Sequence, residues 1–248
     1  MHHAMILQRR RTRVINLGDF LPIFKKRRLT LLYKKHEAGD IYSFVFKLEG
    51  KAYWKAGQHG ALFIEHEKIS RSFRPFSLAS APSEDVMIST RITDNPSPFK
   101  KALSTMQPGQ QASLRGPIGS FYIKDRTPVL FIAGGIGITP FRALIKNSLI
   151  NPGTAPAHIH LLYSDDRGQF AYEDELQQFA TTSDVTIALL TSREELKAQI
   201  SDYTHQHANK ARYYVSGSPG MVKAMQATLK AKGIRAAQIV TDTFLGLH

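Results

Sequence analysis

At 248 residues the chain exceeds the usual single-domain size, so two domains of roughly 100 to 150 residues are expected, and with 42% hydrophobic and 21% charged residues it can bury a core. It contains no cysteine, which excludes disulfides, thiolate metal sites, cysteine-ligated iron–sulfur clusters and cysteine nucleophiles; redox chemistry would need a borrowed cofactor, and no metal set is assigned. The net charge of +13 is uneven: residues 1–35 carry +9 of it and the rest of the chain +4.

The first segment, residues 1–28, reads as a basic N-terminal extension. Arg9, Arg10, Arg11, Arg13 and the run from Lys25 to Arg28 suit an acidic protein, an anionic lipid surface or, least favoured, nucleic acid; a solvated tail is the plainer reading. No apolar run reaches the roughly 18 residues of a membrane span. Val14 to Phe24 contains Asp19 and Pro22 and no small-residue cleavage site follows, so the chain is read as cytoplasmic rather than exported. Phe20, Leu21, Ile23 and Phe24 beside the basic run suit peripheral membrane contact, with packing onto the protein itself preferred.

Residues 29–125 read as short alternating strands: Leu29–Tyr33, Ile41–Phe46, Ala61–Ile64, Phe76–Ala79, Met87–Ile92 and Gln111–Leu114. Turn residues such as Gly50, Gly57, Pro82 and Pro108-Gly109 separate them, which predicts a small antiparallel β-barrel. One helix interrupts it, with Ser97 as cap, Pro98 at its start and Phe99, Ala102, Leu103 and Met106 at helical spacing. From residue 126 the pattern changes. Val129–Ala133 is a continuous apolar run of the kind that forms a buried parallel strand, and a helical segment follows it. His158–Tyr163, Val185–Leu190, Tyr213–Ser216 and Gln238–Val240 read as further strands, with helices near Tyr172–Ala180 and Gly220–Lys232. Residues 126–248 are therefore expected to form a doubly wound α/β nucleotide-binding domain.

The chemistry begins at Arg74-Pro75-Phe76-Ser77. Arginine suits a phosphate bidentately, an aromatic can stack on a planar ring and a serine can hydrogen-bond a ring nitrogen. Arg74 and Phe76, two apart, share a strand face, and Ser77 faces the other way unless the strand bends. The segment resembles the R-x-Y-S-x-x-S flavin motif of the ferredoxin-NADP reductase family, with Phe76 where tyrosine is usual, in a compact bacterial type lacking an iron–sulfur domain. The resemblance implies FAD, with its pyrophosphate on Arg74, its isoalloxazine against Phe76 and its N5 near Ser77. Arg91-Ile92-Thr93 resembles the family strand that lines the flavin. Ser97-Pro98 falls where members bind pyrophosphate, in agreement with the anion affinity of a helix N-terminus. Gly116-Pro117-Ile118-Gly119-Ser120-Phe121 resembles the turn that closes the family's barrel and is assigned no chemistry.

A second cofactor segment lies between an apolar strand and a helix, at Gly134-Gly135-Ile136-Gly137-Ile138-Thr139-Pro140. Pro140 replaces the third glycine of the usual dinucleotide fingerprint; the family's G-x-G-x-x-P implies a nicotinamide site built by Gly135, Gly137, Thr139 and Pro140. Ser192 and Arg193 resemble the pair that grips a 2′-phosphate. Asp165 and Asp166 are the competing signal for NADH, and NADPH is favoured. Ser216 stands where the family carries a cysteine beside the nicotinamide. Asp242 and Phe244 fall at the places of a terminal acid and of an aromatic that covers the flavin. Ser77, Ser216, Asp242 and Phe244 are thus the expected catalytic group. The resemblance implies electron transfer from NADPH through FAD to a one-electron acceptor such as an acidic ferredoxin or flavodoxin. The alternatives are an NAD(P)H-dependent flavin, quinone or ferric-chelate reductase, or a non-catalytic flavin-holding subunit of a redox complex.

Overall fold

The computed structural model describes residues 26–51, 53–182 and 184–244. The basic extension up to Lys25 and the terminal His248 lie outside them.

The first half is a curled antiparallel sheet of six strands: β1 (Lys26–Ala38), β2 (Ile41–Leu48), β3 (His59–Ile64), β4 (Phe73–Ser77), β5 (Val86–Arg91) and β6 (Gln111–Ile118). Their order is β4-β3-β6-β1-β2-β5. The sheet is a half-barrel, since its edge strands β4 and β5 are not hydrogen-bonded to each other. Pro75 can sit inside β4 because this is an edge strand that need not donate on both sides. Apolar side chains on alternate positions, among them Leu29, Leu31, Phe44, Phe46, Leu62 and Leu114, fill the curl. Helix α1 (Pro98–Thr105) closes its open end by burying Phe99, Ala102 and Leu103. Ser97 caps it, as expected.

One boundary differs from the sequence reading. Lys26, Arg27 and Arg28, placed by charge alone in the extension, belong to β1 and pair with Arg115, Leu114 and Ser113 of β6. Their charges are used locally: Lys26 pairs with Glu65, Arg28 with Glu49, and Arg27 donates to the Gly116 carbonyl.

The second half is a five-stranded parallel sheet of β7 (Val129–Gly134), β8 (Ile159–Ser164), β9 (Val185–Leu190), β10 (Arg212–Gly217) and β11 (Ile239–Thr243), in the order β11-β10-β7-β8-β9. Helices α2 (Thr139–Ile150), α3 (Glu173–Phe179), α4 (Arg193–His207) and α5 (Pro219–Ala231) connect the strands. Strand order reverses between β7 and β10, and ligands of open α/β sheets bind outside the carboxyl ends of strands at such a switch point. Helix α4 is absent from the helices read from sequence. Its signal was present: Ser192 caps Glu195 at the third helical position, the pattern of a capping box, although the helix is polar over most of its surface.

The halves are joined by buried polar contacts. Arg142 of α2 reaches across to Glu84 and to the Ala79 carbonyl at 2.8 Å, while also holding Glu175 of α3. The Tyr172 hydroxyl meets Ser89 of β5 at 2.5 Å, and Phe121 packs edge-on against Tyr214.

Candidate active site

The two halves enclose a cavity of about 220 Å³ at the carboxyl ends of β4 and β11. Arg74, Pro75, Phe76 and Ser77 all line it. Ser77 is the last residue of β4. From the other half come Ile136, Thr139, Asp242, Thr243 and Phe244. The Ser77 hydroxyl donates to Asp242 Oδ2 at 2.7 Å, across 165 positions of sequence. Phe244 is held in place by its own N–H, which donates to the Gly217 carbonyl at 3.1 Å.

Ser97, Lys100 and Ile136 also border a second hollow, of about 870 Å³, so the two form one elongated cleft. The larger hollow lies over the carboxyl ends of β7 and β8 and the starts of α4 and α5. Arg91, Thr93, Gly134, Gly135, Asp165, Asp166, Arg193 and Met221 line it. Gly137 lies under the turn: a Cβ there would fall 2.3 Å from the Ser216 carbonyl oxygen, so only glycine lets the turn rest on the end of β10. Thr139 is buried and donates to the Ile136 carbonyl, and Pro140 occupies the first turn of α2. Ser216 is fully buried between β7 and β11, with Asp242 as its register partner.

Among the described residues, neither Arg74 nor Lys100 forms a side-chain ion pair, although both line the same wall. Arg74 donates to the neighbouring Phe73 carbonyl, and its guanidinium lies 5.5 Å from the Phe99 ring centre. Burial pulls the Lys100 ammonium below its usual range, and the positive charges of Arg91 and Arg74 act in the same direction against Asp40. Together with the start of α1, these cations make an anion-seeking end, while Phe76 and Phe244 supply aromatic walls. That donor set fits a diphosphate carrying a planar ring, which is the shape of FAD.

Residues 131–227 match a family model described as an oxidoreductase NAD-binding domain. The toluate 1,2-dioxygenase electron transfer component of Pseudomonas putida is 29% identical over 146 residues, covering 55% of this chain and 43% of that protein. Amycolatopsis cytochrome P450 reductase GcoB superposes with a TM-score of 0.77 at 17% identity, over 90% of this chain and 71% of that one. Ferredoxin-NADP+ reductase from Plasmodium falciparum, solved with 2′P-AMP, superposes at 0.74 and 16% identity, over 90% and 97%. The chain shares the two-domain fold of these solved reductases, and its second half matches an oxidoreductase NAD-binding domain. It spans 43% to 60% of the length of the first curated relatives it matches.

Within this fold the sequence-assigned residues separate into three groups. Arg74, Pro75, Phe76, Ser77, Ser97, Thr139, Asp242 and Phe244 meet at the smaller cavity; Thr93, Gly135 and Arg193 meet at the larger. Arg91 also lines the larger hollow. Its guanidinium bonds Asp40 at 2.5 Å, Gln169 at 2.8 Å and Asp165, tying β5 to the loop after β8. Ile92, just past the end of β5, lines a different hollow with Lys34, His36 and Tyr42. Ser192 is spent locally, accepting from the Glu195 N–H and donating to Glu194.

Asp242 is the carboxylate of the cavity. Burial raises its pKa above 3.8, opposed by the Ser77 hydrogen bond and the charge of His59. Sequence reading missed His59 and Lys100. Lys100 was foreseeable as a cation in the first turn of a helix already credited with anion binding; His59 was not, since its place depends on pairing with β4. No group of three or more His, Cys, Asp or Glu able to hold a metal occurs among the described residues.

Proposed function

We propose that the chain is a flavoprotein reductase that holds FAD along the cleft, takes hydride from NADPH bound over the parallel sheet, and passes electrons singly to an acidic redox protein such as a ferredoxin or flavodoxin. The observation that carries the reading is the single cavity in which an unpaired cationic wall, Arg74 and Lys100, adjoins aromatic walls and the Ser77–Asp242 hydrogen bond. The Pseudomonas putida relative, an electron transfer component of a dioxygenase, supports the same reading. Bound FAD supplies the conversion between a two-electron donor and one-electron acceptors. Arg74, Lys100 and the N–H groups opening α1 hold the diphosphate. Phe76 and Phe244 cover the ring and exclude water, and Ser77 presents a hydroxyl to its edge. Gly135, Gly137, Thr139, Pro140 and Ser216 shape the nicotinamide end.

The 2′ position of the donor falls to Arg193, whose Nη2 lies 2.6 Å from Asp166. Both side chains are largely exposed, so solvent screening leaves the pair weak and a phosphate dianion can displace Asp166. The same contact favours the second reading, NADH, since an unreleased Asp166 would accept from a free ribose hydroxyl. Asp166→Asn should therefore raise the preference for NADPH over NADH and Arg193→Ala should lower it, each about three- to tenfold in kcat/KM.

Anaerobic titration of the purified protein, followed by its visible spectrum, tests the proposal. A yellow protein bleached by NADPH is expected; a colourless one would sink the flavin assignment. Arg74→Ala should weaken FAD binding at least about tenfold, the effect of losing a charge-assisted bond. A cytoplasmic setting belongs to the same reading, and no helix among the described residues is long and apolar enough to cross a membrane. Acceptor docking through the basic extension predicts ferredoxin reduction that weakens with salt and on deleting residues 1–25.

A further inference from the structure

The sulfur of Met221 sits where the parallel sheet opens. Gly134 ends β7 and Gly217 ends β10, the paired strands on either side of the switch point. A Cβ built on Gly134 would fall 1.9 Å from Met221 Sδ, and one built on Gly217 would fall 2.9 Å from the same atom. The thioether therefore lies across both strand ends, in a seat that two glycines leave open. Its backbone is held by the Ser218 Oγ that caps α5, to which the Met221 N–H donates at 3.4 Å. The side chain packs against the buried cluster that contains Val215 and Val222, and it also lines the larger hollow. Among the described methionines it is the accessible one: Met87, Met106 and Met225 are 9%, 0% and 7% exposed, whereas Met221 is only partly buried.

We propose that Met221 is an oxidation site that closes the larger hollow: hydrogen peroxide converts its thioether to the sulfoxide, and the sulfoxide keeps the nicotinamide dinucleotide out. This rests on the reading of that hollow as the place of the donor. A lone pair on Sδ attacks one peroxide oxygen; the O–O bond breaks, an S–O bond forms, and the other oxygen leaves as water with both protons. Sulfur loses two electrons and the peroxide gains them. A flexible apolar side chain becomes a polar one. The new oxygen has no place in the seat, because the sulfur already fills the room that a methyl group on Gly134 would need. It points instead into the hollow, over the strand ends where an open α/β sheet takes its ligand. A dinucleotide brings a negative diphosphate to that place, and the sulfoxide oxygen, which only accepts hydrogen bonds, opposes it. Two thiols reverse the change, leaving as a disulfide and water, in the reaction that methionine sulfoxide reductases catalyse.

The test uses the full chain with its flavin, treated with increasing hydrogen peroxide and then digested for mass spectrometry. The peptide carrying Met221 should gain one oxygen before those carrying Met87, Met106 or Met225. Binding of NADP+ and of NAD+, read by equilibrium dialysis, should weaken at least about tenfold as that peptide converts, and treatment with a methionine sulfoxide reductase and dithiothreitol should restore it. Met221→Leu keeps the approximate shape without the sulfur, and its affinity for either dinucleotide, whatever its starting value, should not change on peroxide treatment. Oxidation of Met87, Met106 or Met225 ahead of Met221, full oxidation of Met221 with affinity unchanged, or an equal loss of affinity in Met221→Leu overturns the proposal and leaves the donor reading intact. Untreated protein that binds neither dinucleotide sinks that reading and the proposal with it.

Discussion

The Ser216 hydroxyl is fully buried at the end of β10, and its Oγ has no hydrogen-bond partner among the described residues. A buried polar group without a partner costs about 1–3 kcal/mol, so its presence beside the glycine turn points to a group retained for something other than stability. Ser216→Ala should raise the unfolding free energy of the ligand-free protein by about 1 kcal/mol in urea and slow hydride transfer in the loaded one. A variant that gains stability without losing rate would remove Ser216 from the proposed site. Asp242 makes a parallel prediction through pH. Its folded pKa is raised above 3.8, so the stability it contributes is complete below that value and is lost as pH rises through the folded pKa. Asp242→Asn should therefore be more stable than the parent at pH 7, with the gap closing as the pH falls toward 4, measured by urea midpoints.

At the scale of elements, two contacts outside the cavity set its geometry. Gly137→Ala would drive a methyl group against the Ser216 carbonyl, which is backbone and cannot swing away. The variant should lose about 2 kcal/mol and bind nicotinamide more weakly, read from thermal unfolding and a binding titration. Asp125, in the link between the halves, pairs with Arg212 at the start of β10, and this hydrogen-bonded partner lowers its pKa to about 2. The stabilisation exists above the ordinary carboxylate range and disappears as pH falls through about 2. Solvent screening of the pair limits it, so Asp125→Asn should lower stability by only about 1 kcal/mol at pH 7 and by nothing near pH 1. These elements were legible in sequence to different degrees. The strand–turn–helix at residues 129–140 was plain, because a phosphate-sized turn and a buried strand each demand local residue types. Helix α4 was obscure because it buries few residues, among them Leu196, Ile200 and Tyr203, and so carries little apolar periodicity. Arg91 and Ile92 were read by adjacency to a motif, whereas their surroundings depend on which face meets the second half.

For the whole molecule the decisive contacts are those that no local pattern contains. Ser77 and Asp242, Arg91 and Asp165, and Arg142 and Glu84 each join one half to the other. Arg142 is the most committed: it is 7% exposed, is bonded to two carboxylates and a carbonyl, and has a pKa raised by those carboxylates against burial. Removing it leaves Glu84 and Glu175 facing each other without their cation, so Arg142→Ala should cost about 3–5 kcal/mol. Fluorescence and hydrogen exchange should then show the two halves loosening before either unfolds. The walls of the smaller cavity begin at His59 and end at Phe244. During synthesis, then, the half-barrel can assemble once β6 has emerged to lie between β1 and β3, but the cavity cannot exist until β11 and Phe244 have followed. A polypeptide not yet extended to Phe244 presents an open cationic wall rather than a closed site.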